Sequence, residues 1–129
     1  MKIGELAAAS GMTTKTLRFY DASGLLSPQA RTANGYRHYG PDALARIDFI
    51  RRGRAAGLTL AQIKEVIDIR DGGHAPCAHV TQLLATRLSE LDQQIADFAA
   101  LRATVAELHA AAATPEPAAC RPHTVCRYL

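Results

Sequence analysis

No tryptophan occurs in the 129 residues, so a core must come mostly from aliphatic side chains, which a 48% hydrophobic composition can supply. No apolar run approaches the roughly 20 residues that a membrane span requires. The amino-terminal stretch MKIGELAAASGM contains an acid and no separate apolar segment, so it does not read as a secretory signal. The compartment expected is therefore the cytoplasm, where thiols stay reduced. Cysteine is scarce as well: three residues, an odd number, would leave one thiol over from any disulfide framework. Glycine-rich phosphate loops, a serine elbow and a histidine-rich metal motif on a helix are all missing. Acids such as Glu65 and Asp68 read as a solvated helix face. An enzyme is not expected.

Charge is present and unevenly placed. Residues 1–57 carry nine basic against four acidic side chains, and residues 58–129 carry six against eight, for a net charge of +3. A basic half joined to a mildly acidic one suggests a polyanion-binding module attached to something with another task.

Apolar spacing places Ile3, Leu6, Ala7 and Ser10 on one stripe of a first helix that ends at Gly11-Met12. A second helix is capped by Thr13 or Thr14 and runs to Gly24. Two short helices around a glycine-bearing turn form a helix-turn-helix pattern, although an ordinary helical hairpin has the same spacing. Pro28 then breaks the helix, and Asn34-Gly35 is a two-residue hairpin signal flanked by Arg31-Thr32 and Tyr36–Tyr39 as short strands, a wing. Pro41-Asp42 opens a third helix whose stripe is Leu44, Ile47, Ile50 and Ala55 and which closes at Gly57. Thr59 and Gln62 form a capping box for a fourth, with Ile63, Val66, Ile67 and Ile69 on its buried side and Asp71-Gly72-Gly73 at its end.

From about His79 to Ala113 the apolar residues Leu84, Leu88, Leu91, Ile95, Phe98, Leu101, Val105 and Leu108 alternate at steps of three and four, a coiled-coil seam. A helix of about 50 Å cannot cover that seam with the rest of a small chain, so a homodimer is expected. Residues 114–129 contain Pro115, Pro117 and Pro122 and cannot form a regular helix.

Two groups of residues can carry chemistry. Lys15 and Arg18 lie one turn apart on the second helix, and the wing adds Arg31, Tyr36, Arg37 and Tyr39. Cations interleaved with tyrosines suit a phosphate backbone, while the helix can read base edges in a major groove. Phe19 is expected to pack in the core. The second group is Cys77, Cys120 and Cys126 with His74, His79 and His123 nearby in sequence. Three thiols and imidazoles can satisfy a soft or borderline divalent cation, although the spacing is not that of a zinc finger. A buried cysteine is often just a small hydrophobe, but a proline-rich tail offers little core for Cys120 or Cys126. His109 reads as a surface residue.

Together the segments KIGELAAASGMTTKTLRFYDASGLL, RTANGYRHY and ALARIDFIRRGRAAGLTLAQIKEVI, followed by the long helix, resemble the MerR family of bacterial transcription regulators. The resemblance implies a mainly α fold: a winged helix-turn-helix domain at 1–71, a hinge at 72–78, a dimerisation helix at 79–113 in an antiparallel coiled coil, and a metal-binding tail at 114–129. It implies DNA contacts at Lys15, Arg18, Tyr20, Arg31, Tyr36, Arg37 and Tyr39. It further implies a homodimer on double-stranded promoter DNA that distorts an over-long spacer for RNA polymerase. The sensor end is similar to the heavy-metal branch, in which Cys77 of one protomer would join Cys120 and Cys126 of the other, with His79 and His123 as further candidate ligands. A cysteine at 77 separates the chain from the copper-sensing branch and implies a divalent ion: zinc first, then cadmium, lead or mercury. The spacing from Cys120 to Cys126 is shorter than in the copper and mercury branches, and the extra histidines lean toward zinc. Two other readings remain: a thiol redox or electrophile sensor of the same fold, and a metal-sequestering protein.

Overall fold

The computed structural model describes residues 1–27, the backbone of 30–31, and residues 35–114 and 121–129. Within these residues α1 (Ile3–Ser10) begins where the Lys2 amide donates to the Glu5 carboxylate at 2.9 Å. It closes at Gly11, and α2 (Thr14–Ala22) starts three residues later under the Thr13 hydroxyl, which accepts from the Thr16 amide. α3 (Pro41–Ala55) has proline in its first turn, where a missing N–H costs nothing. α4 (Leu60–Asp71) carries the expected capping box between Thr59 and Gln62.

The apolar stripes of these helices meet in one core of mostly aliphatic character. Leu6, Leu17, Leu25, Leu26, Tyr39, Ile47, Ile50 and Ile63 are its largest fully buried side chains. Each buried Leu or Ile contributes about 1.5–3 kcal/mol relative to exposure. On α3 the expected stripe needs one correction. Ala55 is exposed, and Ala43 and Gly53 complete the buried face instead. A Cβ at Gly53 would stand 2.9 Å from the Ile63 side chain, so α4 packs closely only because that position is bare.

The wing is a two-stranded antiparallel ribbon of β1 (Ala30–Arg31) and β2 (Arg37–His38). A two-residue turn at Asn34-Gly35 would set residue 31 against 38, but the observed register pairs Arg31 with Arg37 and Ala30 with His38. β2 has two residues where Tyr36–Tyr39 was expected, and the register is offset by one residue from that of a two-residue turn. Gly35 has a φ of 78°, in the left-handed region the turn signal called for. Pro28, Thr32 and Asn34 lie outside the described residues.

The fifth helix, α5 (Cys77–Ala113), is 37 residues long, about 55 Å at 1.5 Å per residue. It begins two residues before the expected start, so Cys77 is its first residue rather than part of the preceding loop. The chain divides into two units, Met1–Arg87 and Leu88–Leu129. In the first, Leu83 packs against the core and His79 Nε2 lies 3.1 Å from the Glu65 carboxylate. In the second, Leu88, Leu91, Ile95, Phe98, Leu101, Val105 and Leu108 are all exposed, Phe98 by 71%. Residues 121–129 form turns and no helix, as the prolines required. Cys120, Pro115 and Pro117 lie outside the described residues. Among the described residues no helix is long and apolar enough to cross a membrane.

Candidate nucleic-acid interface

α2 turns Leu17 and Tyr20 into the core, three residues apart on one face. Its other face presents Lys15 and Arg18, both exposed. Phe19 lies two positions from Leu17, just over half a turn around the helix, and is 54% exposed rather than buried as expected. An exposed aromatic edge beside two cations is a surface that can meet base edges or the thymine methyl group.

The wing joins this face. Lys2, Ile3, Arg18 and Ala22 line one side of a cleft of about 470 Å³, and Gly35, Tyr36 and Arg37 line the other. Lys2 Nζ sits 5.8 Å from the centre of the Tyr36 ring, within cation–π range. Lys2, Arg18 and Arg37 therefore put three cations around one opening, with the exposed Tyr36 ring at its rim. Lys2 lies before the first helix, and no periodicity ties it to a wing more than thirty residues away.

Asp21 sets the relation between helix and wing. Its carboxylate forms an ion pair with Arg37 and accepts a hydrogen bond of 2.6 Å from the Tyr39 hydroxyl. Arg37 is held more firmly in its charged form by the Asp21 charge, and next by its hydrogen bond with Tyr39. Tyr39 is pushed above the usual phenol value, first by burial and then by its bond to Asp21. An acid within a basic module was the signal for this role, but α2 alone does not show what it would bind.

The residues implied as DNA contacts thus fall into three groups. Lys15, Arg18 and Tyr36 are open to solvent, and Arg37 is partly open while paired with Asp21. Tyr20 and Tyr39 are buried, which corrects the expectation that they lie on the binding surface: apolar packing claims both rings. The Arg31 backbone lies in β1, and its side chain is outside the described residues.

The Asp21 junction gives a stability prediction. Tyr39→Phe removes a charge-assisted bond at a buried position and is expected to lower unfolding free energy by about 1.5–3 kcal/mol. Because the folded state raises the Tyr39 pKa, the contribution is fully present below the ordinary phenol value near 10 and is lost as pH rises through the folded value. Urea unfolding at neutral pH should separate the two proteins, and the gap should close in strong alkali. Equal stability at pH 7 would refute it.

The thiols lie apart from this face in the chain. Cys77 and Cys126 are exposed and free, and His123 is exposed. Among the described residues no group of three or more His, Cys, Asp or Glu could hold a metal ion. The donors themselves suit a thiophilic ion.

Comparison with known proteins matches residues 1–68 to the family model "MerR HTH family regulatory protein" and residues 44–108 to "MerR, DNA binding". A probable heavy metal-dependent transcriptional regulator of Haemophilus influenzae is 39% identical over 95 residues, 74% of each chain. The HTH-type transcriptional regulator HmrR of Sinorhizobium medicae is 37% identical over 109 residues, 84% of this chain and 74% of that one. Among solved structures, the transcription regulator PbrR691 from Ralstonia metallidurans CH34, in complex with lead(II), superposes with a TM-score of 0.75 at 30% identity, covering 97% of this chain and 91% of that one.

Proposed function

The chain belongs to the MerR family of DNA-binding transcription regulators, and from that premise we propose that it binds promoter DNA as a homodimer and activates transcription when a divalent heavy-metal ion binds. The carrying observation is the continuous cationic face formed by Lys15 and Arg18 on α2 and by Lys2, Tyr36 and Arg37 around the wing cleft. The helix reads bases, with Arg18, Lys15 and the exposed Phe19 as the reading side chains. Arg31, Tyr36 and Arg37 hold phosphates on the wing. Tyr20 and Tyr39 act from the core, by fixing the helix and wing that carry the contacts.

For the sensor, the thiolate of Cys77 is assigned as a ligand together with Cys120 of the partner subunit and Cys126 of the partner subunit. When bound, the ion would supply a bond between subunits that differs in strength between two arrangements of the dimer. His79 already rests its Nε2 on Glu65, which leaves Nδ1 as its donor; His123 is a second candidate. Zinc is the preferred ion, with cadmium, lead and mercury as alternatives. The structure of PbrR691 with lead(II) supports a divalent ion. Distorting a promoter spacer costs on the order of 1–6 kcal/mol, and RNA polymerase would engage the distorted duplex.

The test is a mobility shift on the protein's own promoter across a salt series, with metal titration of the reduced protein beside it. A specific complex should form and weaken steeply with salt. Arg18→Ala should cost about 1–3 kcal/mol for each subunit. Paid twice in a dimer, that lowers affinity at least about 30-fold. The absence of any salt-sensitive, sequence-specific complex would sink the reading.

A further inference from the structure

One contact early in α5 belongs neither to the cationic face nor to the thiols. α3 ends at Ala55, and Gly57 turns the chain at a φ of 86°. The last carbonyls of a helix have no amide of their own to accept from. Here the Ala56 amide donates to Arg52, the Gly57 amide to Arg54 and the Leu58 amide to Gly53. The Ala56 carbonyl accepts instead from Arg87 Nε at 2.9 Å, across 31 residues of chain.

The seat for this guanidinium depends on glycine. A Cβ at Gly57 would lie 2.6 Å from both Nε and Nη2 of Arg87 and 2.7 Å from Cζ. The missing side chain thus serves two ends: the left-handed turn, and a flat approach of the guanidinium to the end of α3. A cation there is also favoured by the negative end of the helix dipole. Arg87 stands one turn beyond Leu83, the α5 side chain packed on the core, while the turn it grips leads directly into buried Leu58. The same α3 carries Ile47 and Ile50 into the core cluster that also holds Leu17 of the recognition helix. Arg87 therefore holds α5 to the end of α3, which packs against α1, and α1 in turn packs against the DNA-reading helix.

We propose that Arg87 is a positioning residue that passes the orientation of α5 to the DNA-binding head, through its bond to Ala56 and its seat on Gly57. This rests on the reading of the chain as a metal-responsive dimeric regulator. Leu83 is a non-directional apolar contact that tolerates sliding and rotation, and the His79–Glu65 contact reaches α4 rather than α3. The Arg87 bond is directional, and a rotation of α5 must either carry the α3 end with it or break the bond. An exposed polar contact adds little to stability, so its removal should uncouple rather than unfold.

The experiment compares wild type with Arg87→Ala, Arg87→Lys, Gly57→Ala and the double variant Gly57→Ala/Arg87→Ala. Four quantities are read: operator affinity, stoichiometry of zinc bound, urea midpoint, and the ratio of transcription with zinc to that without. Arg87→Ala should bind operator within about threefold of wild type and take up the same zinc. Its induction ratio should fall at least fivefold, with Arg87→Lys falling between. Gly57→Ala, which displaces the guanidinium but keeps its charge, should show the same loss, and the double variant should be no worse than either single change. An Arg87→Ala protein induced like wild type overturns the inference, as do losses that multiply in the double variant. Unfolding of both Arg87 variants would mark the contact as structural and also overturn it. A wild-type protein that fails to bind operator or to respond to metal refutes the regulator reading itself and removes this inference with it, and is recognised because the wild-type arm fails.

Discussion

Chains carrying Ile95→Glu and Phe98→Glu together are expected to run as monomers and to lose high-affinity operator binding. These are the most exposed apolar side chains of the seam, at 66% and 71%, and no residue of α5 is buried within the chain. Covering an Ile or Phe side chain stabilises by about 1.5–3 kcal/mol. Two such positions on each of two chains amount to about 6–12 kcal/mol, comparable to the whole free energy of a micromolar to nanomolar dimer. Glutamates there also place four like charges in one interface. Operator binding should fall in parallel, because a monomer meets only one half-site and loses the gain from tethering two heads. Sedimentation velocity and a mobility shift read the two effects. Gln94→Glu, off the seam and exposed, is the control and should remain dimeric. A double variant that still sediments as a dimer would show that some other surface joins the subunits.

Cys77→Ser is expected to abolish the metal response while leaving operator binding in place. A serine oxygen is a poor ligand for ions that select thiolates, so affinity for zinc or cadmium should drop at least about 100-fold. Serine is well tolerated at the start of a helix, and Cys77 is exposed at that point, so a loss of folding is not expected to intervene. Calorimetric titration under reducing conditions and transcription from the promoter give the two readouts. If reduced wild-type protein binds no metal, yet an oxidant activates it through the same cysteine, the signal is redox and the metal assignment fails.

Much of this molecule was legible along the chain because local rules dictate it. Thr13, Thr59 with Gln62, and Pro41 mark helix starts whatever surrounds them, since each satisfies or lacks a specific backbone N–H. The spacing of three and four residues from Leu84 onward defined a seam, and the structure leaves that seam uncovered. The basic stretch to residue 57 pointed to the face that now carries Lys15 and Arg18.

The misses share a different cause. Phe19 and Tyr20 are adjacent aromatics, and composition cannot say which turns inward; the phase set by Leu17 buries Tyr20 and exposes Phe19. Tyr39 looked like a hydroxyl for phosphate until Asp21 was found to accept from it.

The basic module that opens the chain, its helix boundaries and its unpartnered apolar seam were therefore set by sequence alone, because caps, periodicity and charge act within a few residues. Only the tertiary structure decided which side chains of that module face outward, that Asp21 pins the wing to α2, and that Arg87 grips the end of α3. Those are meetings of residues 16 to 31 positions apart, and they exist only once the aliphatic core has drawn the helices together.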